Sequence, residues 1–210
     1  GYTIDGSNTI PLSQRSELDR WIISKLNSLI QTVTDCLDDF NPTTAAREIE
    51  EFVDAHLSNW YVRLCRKRFW HGELSKDKQA AYQTLHECLV TVAQLASPFA
   101  PFFSDWLYRN LTETARKGGG AIANALNYES VHLSLLVRAD ASKMDHELES
   151  RMDFAQKISS MVLSIRKKEN LRVRQPLRAI RIPVLQQSDK ERIEAVSEII
   201  LAETNVKYLE

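Results

Sequence analysis

Four stretches of helix-spaced apolar residues, joined by connections of only a few residues, constrain this chain more than any other feature. The first opens at Ser16, with Asp19 three residues on as a capping-box pair, ahead of Leu18, Ile22, Leu26, Leu29, Val33 and Leu37. That spacing predicts a helix over about 16–39. Asn41-Pro42 then reads as the N-cap and first residue of a second helix, running to about 71 and closed by Gly72. Ser75 starts a third, with Leu85, Leu89, Val92 and Leu95 on one face, ending at Pro98. Phe102, Phe103, Trp106 and Leu107 predict a fourth, shorter helix. Short links between long amphipathic helices make antiparallel neighbours in a bundle.

The pattern changes toward the C-terminus. Gly118, Gly119 and Gly120 mark a loop, which lacks the preceding strand and following Lys-Ser/Thr of a phosphate cradle. Val131, Leu133 and Leu135 alternate with polar residues, predicting a short strand or an extended crossing segment. A fifth helix is expected over about 142–170, with Leu148, Ala155, Ile158, Val162 and Ile165 facing a core. Ile180, Ile182 and Val184 then alternate at period two, with Pro183 pushing that strand to a sheet edge. Ser188 and Glu191 read as a second capping box for a helix carrying Ile193, Val196 and Ile200, and Val206–Leu209 as a closing strand. Strand, helix, strand in this order favours a parallel pair. The expected fold is mainly α, an antiparallel helical bundle with a small C-terminal α/β (βαβ) subdomain. Its expected divisions are 1–15 as a linker, 16–140 as the helical domain, and 141–210 as a bridging helix and α/β piece.

Charge narrows the function. The 210 residues sum to a net charge of −1, so any polyanion site must be a local patch. Two patches stand out: Arg63, Arg66, Lys67 and Arg68, then Arg166, Lys167, Lys168, Arg172 and Arg174. The balancing acids lie in 35–54 and after Asp189, a segregation that creates local fields. Cys36, Cys65 and Cys88 form no CxxC pair and are odd in number, which argues against a zinc site or a disulfide framework and fits a reducing, cytoplasmic setting. No apolar run reaches the roughly 18 residues of a membrane span. A chain beginning at Gly1 with a polar, irregular first dozen residues reads as part of something longer. The histidines have no H-E-x-x-H spacing and no G-x-S-x-G elbow occurs, so no catalytic residue and no metal ligand set is assigned.

Residues 57–70, Leu-Ser-Asn-Trp-Tyr-Val-Arg-Leu-Cys-Arg-Lys-Arg-Phe-Trp, combine four aromatic rings and four cations without an acid. Rings for unstacked bases and cations for phosphates suit an RNA loop. At 100° per residue, Ile49, Val53, His56, Trp60 and Leu64 form the core stripe, with Arg47, Asp54, Tyr61 and Arg68 nearly opposite. Trp60 and Tyr61 also read as ordinary core residues, His56 as a satisfied core histidine, and Asp54 as an ion-pair partner of Arg47 or Arg68. Arg66, Lys67, Arg68 and Trp70 read differently: with no acid between Asp54 and Glu73, their repulsion calls for an external anion. In the second patch, Arg166 to Lys168 end a helix, where cations complement the dipole. Arg172 and Arg174 alternate with Leu171 and Val173 in an expected extended stretch, projecting together toward a backbone of phosphates.

Several segments resemble the isoleucyl-tRNA synthetase family. Leu18 to Asn27 is similar to the helix opening the anticodon-binding domain of class I synthetases for branched aliphatic amino acids. Leu57 to Arg63 with Arg68-Phe69-Trp70, the break Pro98-Phe99-Ala100-Pro101-Phe102, Glu129 to Leu133, and Arg166 to Leu177 resemble the isoleucine enzyme in order. Leu136-Val137 departs from the pattern, standing where the family often has a proline. The resemblance implies a helical domain gripping the anticodon arm of isoleucine-accepting tRNA, followed by a small junction region. The tRNA-binding residues expected are Arg63, Arg66, Lys67, Arg68, Trp70, Lys167, Lys168, Arg172 and Arg174. It also implies a parent ligase using ATP and magnesium, with catalytic and editing domains as partners in the same polypeptide. Neither adenylation motif of the family is present, since Ser142-Lys143-Met144-Asp145 is not Lys-Met-Ser-Lys-Ser, so no cofactor is expected here. The matching domain of a valyl- or leucyl-tRNA synthetase, and a structural helical module that docks protein domains, are the alternatives.

Overall fold

The computed structural model describes residues 4, 9–70, 72–118, 128–184 and 186–210. It divides into two compact units, Gly1–Met144 and Asp145–Glu210. Of the glycine loop, Gly119 and Gly120 lie outside the described residues.

The first unit is a helical bundle. Helix α1, Glu17–Asp38, begins at Ser16, whose hydroxyl accepts from the Asp19 amide while the Asp19 carboxylate accepts from the Ser16 amide, the reciprocal capping box. Its inner face, including Trp21, Ile22, Leu26 and Val33, is fully buried. The helix ends with Phe40 in the left-handed region (φ 53°) and the Asn41 amide returning to the Cys36 carbonyl at 2.8 Å. This is the closing turn in which glycine is the usual occupant. Helix α2, Pro42–Glu51, starts at the Asn41 cap as expected.

The second predicted helix continues, but not as a uniform α-helix. From Phe52 to Val62 it widens into a π-helix before α3, Arg66–Trp70, and stops at Gly72 with φ 77°. Residues five apart stack in this wider turn: the Asn59 side-chain amide donates to Asp54 Oδ1 at 2.8 Å. The 100° stripe therefore fails here. Val53, His56 and Leu64 are only half-buried, whereas Phe52, Leu57, Trp60, Tyr61 and Cys65 are buried.

Helix α4, Lys76–Ala96, is capped by Ser75, and α5, Pro101–Gly118, follows after Pro98. The deepest stripe of α4 is Ala81, Thr84, Cys88, Thr91 and Leu95. Leu85, Leu89 and Val92, expected on the core face, are half-buried beside this stripe. Beyond α5, Val131–Leu133 is a single 3₁₀ turn rather than a strand, with Val131 buried and Leu133 exposed. The following segment does cross the bundle, held by Gln94 to the Leu135 carbonyl at 3.4 Å and by the Asp140 amide to Asn27 at 2.9 Å.

The second unit packs helix α6, His146–Lys168, against α7, Gln187–Ala195, and α8, Ser197–Thr204. Strands β1, Leu177–Ile180, and β2, Val206–Leu209, pair in parallel with Leu177 opposite Val206. Four expectations shift. The first strand ends at Ile180, ahead of the Ile182, Pro183 and Val184 expected within it, and residues 181–184 continue without strand structure. Ser188 lies inside α7, whose cap position is Gln186, so it forms no capping box. The predicted single helix breaks at Val196 (φ −113°), though Ile193, Val196 and Ile200 are all buried. On α6, Ile165 points outward and Arg166 takes the buried place beside it.

Candidate nucleic-acid interface

The end of the second long helix is fixed by one buried carboxylate. Asp19 Oδ1 accepts from the Tyr61 hydroxyl at 2.6 Å and from Arg68 Nη1 at 2.9 Å, and its Oδ2 accepts from Arg68 Nη2 at 2.7 Å. Arg68 also donates to both oxygens of Asp77, at 2.8 and 2.7 Å, so one guanidinium ties α1, α3 and the first turn of α4 together. Burial alone would raise the Asp19 pKa, but the Arg68 and Tyr61 hydrogen bonds and the Arg68 charge outweigh it and hold the carboxyl below its ordinary value. Burial likewise pushes the neighbouring Cys65 thiol up to about 11. Phe69 completes the anchor, packing its ring against Tyr61 and Tyr82 while its carbonyl accepts from the Tyr82 hydroxyl at 3.1 Å.

This anchoring sorts the predicted residues into two sets. For Arg68 the expected need for an external anion is corrected: its charge is met inside the fold by Asp19, 49 residues away in sequence, and by Asp77, nine residues on, and the guanidinium holds the helix end. Tyr61, which the 100° wheel grouped with Arg68, is fully buried beside it. Arg66 and Lys67 are exposed, and Trp70 is 78% exposed, an unusual state for so large a ring. Arg63 lies over the Trp60 ring, its Cζ 5.6 Å from the centroid. Lys76 and Lys78, which flank Asp77 on the turn clamped by Arg68, add cations that the sequence reading passed over. Their signal was available as a Lys-Asp-Lys run, but the link to Arg68 is tertiary.

In the second unit Arg166 is likewise not a surface cation. It is 1% exposed, donating from Nη1 to the carbonyls of Arg172 and Gln175 at 3.1 and 3.0 Å and from Nη2 to that of Asn205 at 3.1 Å. The Asn205 side chain adds a bond to the Val173 carbonyl at 2.9 Å. The stretch carrying Arg172 and Arg174 is consequently a turn, closed by the Gln175 amide to the Arg172 carbonyl at 3.0 Å, and not the extended strand expected. Lys167, Lys168, Arg172 and Arg174 are all exposed. Among the described residues no group of three or more His, Cys, Asp or Glu could hold a metal ion, and no helix is long and apolar enough to cross a membrane.

A helical bundle with an anchored, outward-facing cationic and aromatic helix end is an architecture suited to a polyanionic partner. Residues 19–181 match the family described as the anticodon-binding domain of tRNA ligase, and the chain belongs to that family. It is 52% identical over 201 residues to an isoleucine–tRNA ligase of Cytophaga hutchinsonii, covering 96% of this chain and 17% of that protein. It is 49% identical over 209 residues to one of Porphyromonas gingivalis and 43% identical over 193 residues to one of Dehalococcoides mccartyi, covering 100% and 92% of this chain. The chain thus spans only 17% to 18% of the length of these relatives.

Proposed function

We propose that this chain docks the anticodon arm of an isoleucine-accepting tRNA within a longer, cytoplasmic isoleucine–tRNA ligase. The observation that carries the reading is Trp70, exposed beside Arg66 and Lys67 on a helix end whose inward residues Arg68 and Phe69 are pinned. A solvent-facing indole offers a stacking platform for an unpaired base, and the adjacent cations meet its phosphates. Arg63 with Arg66 and Lys67 serves this site, while Lys167, Lys168, Arg172 and Arg174 supply a second phosphate-binding set on the other unit. Arg68 and Arg166 act as positioning residues, each holding the backbone that presents these cations.

Phosphate contacts fix register and bases supply selectivity. Contacts far from the reacting centre would orient the tRNA toward an active site elsewhere in the ligase, where ATP and magnesium are used. No catalytic residue of this chain is assigned. Titration of several purified tRNA species tests the reading: isoleucine tRNA is expected to bind most tightly. Lys67→Glu is expected to weaken all tRNAs alike, and Trp70→Ala to cost about 1–3 kcal/mol where a base stacks on it. Equal affinity for every tRNA, unchanged in both variants, overturns the proposal.

A further inference from the structure

We infer that the first two turns of α5 form a docking face for another part of a longer ligase polypeptide. Phe102 is 91% exposed, Phe103 60% and Trp106 59%, and Phe99 just before the helix is 36% exposed. The Phe103 and Trp106 rings lie 5.8 Å apart and together make one aromatic surface. The opposite side of α5 is already committed to its own unit, with Ser104, Tyr108, Thr112 and Ala115 buried. The aromatic side is also presented rigidly. Asp105 accepts from the Ser130 hydroxyl at 2.6 Å and the Val131 amide at 3.1 Å, and Arg109 pairs with it at 2.7 Å.

Electrostatics decide against RNA as the occupant. Residues 79–108 contain no Lys or Arg, and Arg109 is met by Asp105. Along this stretch of chain, phosphates would find only the Asp105-paired Arg109 to replace their counterions. The 21 residues of α4 separate this face from the Arg68–Asp77 clamp by about 30 Å along the helix. One end of the bundle is therefore cationic, and the α4–α5 corner is apolar.

Linkage, not size, favours a tethered partner over a second copy. Four rings with these exposures offer on the order of 500 Å², about the apolar share of an interface of roughly 800 Å² per partner. A tethered partner needs less, because linkage makes the encounter intramolecular. About five-sixths of the length of these relatives lies outside the part this chain matches, since it covers 17% of them. That tethered polypeptide is the occupant, through an apolar surface of its own. The inference rests on family membership and does not depend on tRNA docking.

Hydroxyl-radical footprinting read by mass spectrometry tests it, comparing the 210-residue chain with the longer polypeptide encoded around it. Oxidation of Phe102, Phe103 and Trp106 is expected to be at least fivefold slower in the longer protein, while Trp70 keeps its rate in both without tRNA. The double variant Phe102→Ser/Trp106→Ser is expected to restore rapid oxidation at Phe103 in the longer protein and leave the circular dichroism of the 210-residue chain unchanged. Equal rates in both proteins overturn the proposal. So does protection in the short chain alone at micromolar concentration, which marks a second copy, or protection that appears only with tRNA. Failure of tRNA docking would show instead in the tRNA titration, which reads the opposite end of the bundle.

Discussion

Asp19 closes the cap of α1 through Ser16 and, with the same carboxylate, receives Arg68 and Tyr61. Its first role is legible in sequence because the cap spans three residues. Its second joins positions 42 and 49 residues away, and no local pattern announces it. Removing one partner of such a buried pair leaves charge and hydroxyl unmatched. Asp19→Asn is expected to cost about 3 kcal/mol in urea unfolding, at the lower end for buried ion pairs because Arg68 keeps Asp77. The pH dependence follows from the direction of the shift. The folded carboxyl sits below its unfolded value of about 3.9, so its stabilisation is complete above that value and is lost as pH falls through the lower folded one. Wild-type stability should therefore fall more steeply than that of Asp19→Asn below about pH 4. Parallel acid titrations of the two proteins would refute this.

Helix existence, caps and ends along the bundle were readable from spacing and from Ser16, Asn41, Ser75 and Gly72, since each is a local signal. The face presented by the middle of the second helix was not. A change from α to π turn alters which residues stack, and it accommodates the bulk of Phe52, Trp60 and Tyr61 through packing rather than propensity. The two registers make opposite mutational predictions. A uniform α-helix buries Val53, whereas the π register buries Phe52 and leaves Val53 half-buried. Phe52→Ala is expected to cost about 3–5 kcal/mol as a large-to-small core change. Val53→Ala should cost less than about 1.5 kcal/mol, because a half-buried valine leaves little cavity. Chemical denaturation of both variants measures the difference, and equal losses would restore the α register. The same limit hid the role of Arg166: a cation at a helix end reads as a dipole partner until the carbonyls of Arg172, Gln175 and Asn205 are seen around it.

Across the whole molecule, a net charge of −1 conceals cations with separate duties. Composition and sequence located the basic runs, but only tertiary pairing shows that Arg68 and Arg166 are spent inside the fold while Arg66, Lys67, Lys167, Lys168, Arg172 and Arg174 face solvent. Salt dependence of tRNA binding separates these duties, because each engaged phosphate releases counterions whatever the base sequence. For single-stranded contacts, the slope of log affinity against log salt changes by about 0.7 per phosphate lost. The double variant Arg66→Gln/Lys67→Gln should therefore flatten the slope by about 1.4 without lowering folding stability. Arg68→Gln should do the reverse. It leaves Asp19 buried without its cation and lowers stability, while the slope of whatever fraction remains folded stays as in the wild type. Measuring both quantities for both variants keeps the test clean: a flattened slope in Arg68→Gln would return that guanidinium to the RNA-facing set and remove the division of labour drawn from Asp19 and Asp77.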